Sequence, residues 1–249
     1  MKSSKITLFL IFLGLKIMAQ NPNQLSEKLL YAARVEQPTD TYFAQLQNIS
    51  IEYLENQLNT DENRKAFWLN IYNAMVLTKL KANPKLYEKR SAFYTTKIVT
   101  IAQNKLSLDD IEHGILRHSK IKLSLGYLGR WFPNHFEKVM RVHTLDNRIH
   151  FALNCGAKSC PPIAFYSPTN LDKQLDLATK NYLKNACSYD SVKQEVHLPK
   201  IFSWFRGDFG GKSGMKILLK KHQIIPQESN PIIVFDPYNW NLELNNFLE

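Results

Sequence analysis

The run Arg64-Lys-Ala-Phe-Trp-Leu-Asn-Ile-Tyr-Asn-Ala-Met-Val-Leu77 leaves this chain little freedom in how it folds. On a helical wheel it is apolar on nearly every side. Phe67, Ile71, Ala74 and Thr78 share one face, and Trp68, Tyr72 and Met75 share another. A helix that is apolar all round has to be covered all round. The run is therefore predicted to be a central helix around residues 61–82, started by Thr60-Asp61 and stopped before Pro84. Asn70 and Asn73 interrupt it three residues apart, on the same side. A buried amide without a partner costs about 1–3 kcal/mol. Either the two amides bond loop backbone and fix the fold, or they line a site.

The elements around this helix are shorter. Leu25, Leu29, Leu30 and Ala33 recur at helical spacing within residues 23–35, and residues 39–49 and 51–58 are further amphipathic pieces. Residues 97–108 read as a hairpin that turns at Gln103-Asn-Lys105. A short helix is predicted from Asp109 through Arg117, a longer one over residues 170–186 and another short one over 215–221. Alternation marks a strand over 191–198, and Pro231-Ile-Ile-Val-Phe235 a last one. The expected class is α+β: one helix-rich domain with a small, mostly antiparallel sheet. A 44% hydrophobic fraction over 249 residues supplies core enough for it, and nothing in the middle reads as a linker.

The first twenty residues differ from the rest. Lys2 and Lys5 precede the short apolar run Thr7-Leu-Phe-Leu-Ile-Phe-Leu-Gly-Leu15, and the small Ala19 precedes polar residues. This order predicts a signal peptide over residues 1–20 and an exported, periplasmic or secreted domain over 21–249. The run is shorter than the roughly 20 residues that span a bilayer, so no transmembrane segment is expected. Removing Lys2, Lys5 and Lys16 leaves 29 basic against 22 acidic residues, a net +7 that favours anionic partners. The lysines are scattered and form no basic run interleaved with aromatics, so nucleic acid is not expected.

Chemistry concentrates in Arg148-Ile-His-Phe-Ala-Leu-Asn-Cys-Gly-Ala-Lys-Ser-Cys-Pro-Pro162. If residues 148–154 form a strand, Arg148, His150, Ala152 and Asn154 share one face and Ile149, Phe151 and Leu153 the other. Cys155 then falls at the strand end, before Gly156, which permits a sharp turn. A thiol there, close to a histidine, could be a nucleophile. His150 and Cys155 are five residues apart, on opposite faces of a strand, so they meet only if the chain turns between them. Otherwise His113 or His143 would have to serve. Arg148 suits an anionic ligand group or an internal ion pair with Glu112. Glu112 lies near Ile115 and Leu116 on its helix, where a buried carboxylate needs a partner such as Arg117 or Arg148.

Cysteine chemistry stays open. Cys155 and Cys160 are a C-x4-C pair, which admits a disulfide, a redox pair or half a metal site. A Cys160–Cys187 bridge is the other disulfide pairing, and three cysteines leave one over. One cysteine pair is too few ligands for zinc, so no metal is expected. The chain carries no Gly-rich phosphate loop, no His-Glu-x-x-His and no Gly-x-Ser-x-Gly, so no cofactor is expected either. Trp204, Asp208, Phe209 and Asp236-Pro-Tyr-Asn-Trp240 read as aromatic buttresses.

Four ordered motifs carry a resemblance: Ala66-Phe-Trp-Leu-Asn-Ile-Tyr-Asn-Ala74, Leu108-Asp-Asp-Ile-Glu-His-Gly-Ile-Leu-Arg117, the segment 148–162, and Phe202-Ser-Trp-Phe-Arg-Gly-Asp-Phe-Gly210. Together they resemble the domain of unknown function 547 family over about residues 60–210. The resemblance implies a shared fold and cleft but supplies no reaction. Two functions are therefore expected as alternatives. One is a thiol-dependent hydrolase or transferase, with Cys155 as nucleophile, His150 as base, and Glu112 and Asn73 orienting groups or stabilising charge. The other is a non-catalytic domain binding a peptide or surface polymer, with Cys155–Cys160 as a disulfide staple. In both, Arg148, Asn70, Trp68 and His113 are the expected ligand-binding residues.

Overall fold

A computed structural model describes residues 20–248. The signal-peptide expectation lies outside the described residues. The chain opens with α1 (Pro22–Arg34), α2 (Asp40–Asn48) and α3 (Ile51–Gln57), followed by the long α4 (Asp61–Ala82). The starts of α1, α3 and α4 are chemically marked. Asn21 Oδ1 accepts the backbone N–H groups of Asn23 and Gln24, and Ser50 Oγ accepts that of Tyr53. Thr60 Oγ1 accepts the N–H of Asn63, while Asp61 and Glu62 lie in the first turn of α4 and Lys79 and Lys81 in its last. That charge order complements the helix dipole.

Every side chain of α4 from Ala66 to Leu77 is buried. The helix packs most extensively against α1, and the core around it takes in Leu25, Leu29, Leu46, Leu54, Ile111 and Ile149. Burial of each Leu, Ile or Phe is worth roughly 1.5–3 kcal/mol, so the helix is the spine on which the other elements settle. α5 (Arg90–Thr95) follows, then the antiparallel hairpin β1 (Val99–Ile101) and β2 (Asn104–Leu106), which turns at Ala102-Gln103, so that the expected turn residues Asn104 and Lys105 already pair in β2.

The remaining elements are α6 (His135–Met140), α7 (Leu171–Ala186), β3 (Ser188–Asp190), β4 (Glu195–Leu198), α8 (Lys200–Trp204), α9 (Gly211–Lys221) and β5 (Ile232–Phe235). β4 pairs antiparallel with β3 and parallel with β5, with Val196 opposite Tyr189 on one side and Ile233 on the other. A second apolar cluster of Phe151, Leu183, Val196, Phe202, Phe209 and Met215 fills the space under this sheet. The class is thus α+β, helix-rich, with small sheets. Among the described residues no helix is long and apolar enough to cross a membrane.

Two segments differ from their sequence reading. Residues 148–154 are not a strand; Asn147–Phe151 is a 3-10 turn, started by Asp146, whose Oδ1 accepts the Arg148 N–H. A tight turn begun by an Asx cap outcompetes the short alternating pattern. The predicted helix after Asp109 is real but wider than an α-helix. Over Asp110–Leu116 it winds as a π-helix, and Arg117 N–H bonds to Glu112 O five residues back.

Candidate functional site

The cysteine loop is held by side chains of α4 and by its own asparagine. Asn73 clamps the segment before the loop: its Nδ2 donates to Ala152 O at 3.0 Å and its Oδ1 accepts Asn154 N–H at 2.9 Å. Asn154 then ties the loop ends together, with Oδ1 accepting Gly156 N–H and Nδ2 donating to Pro161 O, both at 2.8 Å. Gly156 sits at φ +89°, and a Cβ there would come within 2.9 Å of Leu80 Cδ1. Only glycine satisfies both conditions. Residues 238–248 close over the outside of the loop. Lys158 N–H bonds to Asn241 O and Glu243 N–H to Gly156 O, each at 2.8 Å.

The loop brings Cys155 Sγ and Cys160 Sγ to 2.6 Å. Both are free thiols, Cys160 buried and Cys155 half-buried. Cys160 Sγ accepts the Cys155 N–H at 3.0 Å, and the Tyr238 hydroxyl stands 3.1 Å from Cys160 Sγ and 3.7 Å from Cys155 Sγ. Burial holds the Tyr238 hydroxyl far above its ordinary range, so it remains a donor to sulfur. The two thiols divide their roles. The Cys160 hydrogen bond outweighs burial at Cys155 and brings that thiol down to about 7. Burial, together with the charge on its neighbour, pushes Cys160 well up. Losing one proton from the pair near neutrality leaves the other shared between the two sulfurs.

The sulfurs open on a cavity of about 370 Å³. Tyr72 of α4, Glu112 and His113 of the π-helix, His150 of the 3-10 turn, and the rings of Trp204, Phe205, Tyr238 and Trp240 line it. The π register matters here, since it presents the adjacent Glu112 and His113 to one space. π-turns recur at functional sites for this reason. Burial raises Glu112 to about 7, with Arg117 opposing, and the Tyr72 hydroxyl donates to its Oε2 at 3.3 Å. The cavity therefore holds a thiol and a carboxyl that both titrate near neutrality, the range useful for proton transfer.

Behind the cavity lies a buried polar chain. Arg117 Nε donates to Asp208 Oδ2 at 2.6 Å, and neither side chain is exposed. His150 Nε2 meets the same oxygen at 2.9 Å, and its ring stacks on Phe205 at 4.0 Å. Arg117 Nη1 also donates to His113 Nδ1 at 2.9 Å. Burial and the neighbouring guanidinium hold His113 well below its ordinary value, so it is neutral at pH 7. Burial also lowers His150, against the pull of Asp208. At Asp208 burial pushes upward, but hydrogen bonds from His150 and Arg117 win and keep the carboxylate ionised.

Of the residues expected at the site, Cys155, Cys160, Glu112, His113 and His150 share the cavity. No hydrogen bond joins His150 to either sulfur among the described residues; its Nε2 is turned to Asp208. Arg148 does not face the cavity. Its guanidinium is taken up by Asp146, Asp172 and Asp176, each at 2.8 Å, and Asp146 outweighs burial in holding it charged. That trio removes the basis for an anionic ligand at Arg148 and for an Arg148–Glu112 pair. Arg117 is likewise bonded to Asp208 and His113 rather than to Glu112. Trp68 is fully buried, edge-on to Phe67 and Phe136, and lines no part of the cavity.

Asn70 repeats the Asn73 clamp on Tyr166, with Nδ2 donating to its O at 2.8 Å and Oδ1 accepting its N–H at 3.0 Å. Both amides thus bond loop backbone. Cys187 lies away from the pair, where burial pushes its thiol up to about 12. Sequence reasoning missed Tyr72, Tyr94 and Tyr238 as site residues. Tyr94 donates to Cys155 O at 2.8 Å. Among the described residues no three His, Cys, Asp or Glu side chains converge as a metal ion would require.

A family model described as a protein of unknown function, DUF547, matches residues 56–183, just over half of the chain. No curated protein and no solved structure matches it.

Proposed function

The chain belongs to the DUF547 family, whose description assigns no reaction, and from the geometry of its site we propose that the protein carries out thiol–disulfide exchange. Cys155 is the attacking thiol and Cys160 the resolving one. The observation that carries this reading is the 2.6 Å approach of two sulfurs in unlike environments, one lowered to about 7 and half-buried, the other buried and raised. Attack needs a thiolate whose proton is lost near ambient pH, and resolution needs a second sulfur already in reach. The Cys155 thiolate attacks one sulfur of a substrate disulfide, whose S–S bond breaks and releases one product thiolate. Cys160 then passes its proton to the product thiolate and attacks Cys155 Sγ, breaking the mixed disulfide and releasing the second product as a thiolate. Two electrons pass from the pair to the substrate, and the Cys155–Cys160 disulfide is left. A peptide disulfide suits the aromatic wall of Trp204, Phe205, Tyr238 and Trp240.

The test uses oxidised glutathione as the probe. The reduced wild type should form an intramolecular Cys155–Cys160 disulfide, and Cys160→Ser should accumulate a stable Cys155–glutathione adduct, both read by intact mass. A wild type that remains a dithiol overturns the proposal. A Cys155–Cys160 bond that no reductant opens overturns it too, and supports a staple in a non-catalytic binding domain.

A second reading is thiol-dependent hydrolysis or group transfer by Cys155. It is favoured by Glu112, a carboxyl brought to about 7 in the same cavity and thus a better-placed proton carrier than His150. Under that reading Cys160→Ser keeps turnover of an activated thioester, whereas exchange activity is lost. We further propose that the protein is exported, on the strength of Lys2, Lys5, the apolar run through Leu15 and Ala19. The mass of the native N-terminus tests this: cleavage near Gln20 is expected, and retention of Met1 overturns it.

A further inference from the structure

A loop beside the cavity displays apolar side chains that a soluble monomer ordinarily hides. Phe132 is 92% exposed, Leu123 88% and Trp131 87%, with Leu128 and Tyr127 also more than half exposed. The display is built by ordered backbone. Ile121 N–H bonds to Leu128 O at 2.9 Å, Arg130 N–H to Ser119 O at 2.6 Å, and Gly207 N–H to Leu125 O at 2.7 Å. Gly207 is required at this anchor, because a Cβ there would lie 2.6 Å from the Gly126 carbonyl carbon.

We propose that this loop docks the protein on the surface of an anionic lipid bilayer. Two observations choose that occupant. Rings standing this clear of their own surface are covered by a medium that closes around them, and Trp, Tyr, Phe and Leu beside cationic side chains are the composition of interfacial anchors. The charge is one-signed as well. Between Glu112 and Glu137 the sequence carries no acid, while Lys120, Lys122 and Arg130 fall within it on the accessible side. Lys122 and Arg130 keep 43% and 35% of their side chains exposed beyond their pairs with Asp109 and Glu137. Such cations attract anionic headgroups. Docking would turn the cavity mouth toward the bilayer, since Lys122, Leu123 and Leu125 line that cavity too. The proposal is independent of the reaction proposed above.

The test follows Trp131 in the whole chain. Vesicles of equal parts phosphatidylcholine and phosphatidylglycerol carrying brominated acyl chains should quench tryptophan emission, whereas pure phosphatidylcholine vesicles should quench it far less. Trp131→Phe should remove most of that quenching, because Trp68 is buried and Trp204 and Trp240 lie in the cavity wall. Leu123→Ser with Phe132→Ser should weaken vesicle binding roughly tenfold or more, and salt should weaken it further. A control substitution at the equally exposed Val192, on the turn between β3 and β4, should change nothing. Absence of quenching in the wild type overturns the proposal, as does quenching that survives Trp131→Phe. A concentration-dependent dimer that the loop substitutions abolish, without vesicle binding, also overturns it and assigns the patch to a second copy of the chain.

Discussion

Replacing Glu112 with Gln should make the protein more stable at alkaline pH and leave it nearly unchanged in acid. In the folded state burial raises this carboxyl from 4.5 to about 7, and its side chain is only 15% exposed. Below about pH 4.5 it is neutral whether the chain is folded or not, and it costs nothing. Between 4.5 and about 7 the unfolded chain gives up the proton while the folded one keeps it. Over that window stability falls by about 1.36 kcal/mol per pH unit. The loss is complete above the folded value and amounts to roughly 3–3.5 kcal/mol. Glutamine is neutral throughout and can still accept the Tyr72 hydroxyl, so the variant lacks this loss. Urea unfolding followed by far-UV circular dichroism, at steps from about pH 4 to about pH 8, measures the difference. All other titrating groups are common to both proteins and cancel. The variant should gain on the wild type as pH rises, with the gain confined to that window. A difference that is flat with pH, or a wild type that gains instead, refutes the assignment of a neutral buried acid to Glu112.

Cys160→Ala should slow iodoacetamide labelling of Cys155 at neutral pH by roughly tenfold or more, because the hydrogen bond that lowers its thiol is gone and burial then acts unopposed; an unchanged rate contradicts the shared proton. Asn73→Leu strands a buried N–H at Asn154 and a carbonyl at Ala152, and should cost about 2–5 kcal/mol in urea unfolding; a cost under about 1 kcal/mol would mean that the clamp is dispensable. Gly126→Ala forces a side chain at φ +88° to within 2.3 Å of Asp208 Oδ1, so it should destabilise the fold by about 2 kcal/mol or more. That change should also disturb the His150 resonances in NMR spectra, which a purely local strain would leave in place.

The parts of this fold that were legible in sequence are those decided by local chemistry. The all-round apolar pattern of residues 66–77, the Thr60 cap and the stop before Pro84 were sufficient to find α4. The hairpin at residues 99–106 followed from a short β-branched run expected to break at Gln103-Asn-Lys105, although the turn itself comes at Ala102-Gln103. The burial of Asn70 and Asn73 followed from the same wheel, and their partners proved to be backbone. The 3-10 turn at Asn147–Phe151 was misread because its alternation of polar and apolar residues imitates a strand over so few positions. The π register after Asp109 leaves no mark in hydropathy, yet it brings Glu112 and His113 to one cavity. Arg148 went astray because Asp172 and Asp176 reach it from α7, more than twenty residues on. The site tyrosines escaped for the same reason, Tyr94 lying 61 positions from Cys155 and Tyr238 lying 83.

The place of Tyr238 in the chain also sets an order of assembly. It follows Cys160 by 78 residues. At the usual roughly 5–20 residues per second of synthesis, the two thiols exist for several seconds before their phenol partner has been made. During that interval Asn154 and α4 have already been translated and can shape the loop, while the strap of residues 238–248 that covers it has not. A nascent chain arrested before Tyr238 would carry the same pair of sulfurs with its outer side open. It should therefore react with thiol reagents from its outer side as well, where the finished protein admits them through the cavity. Translation itself would thus set when that outer approach closes, leaving the cavity as the route to the finished pair.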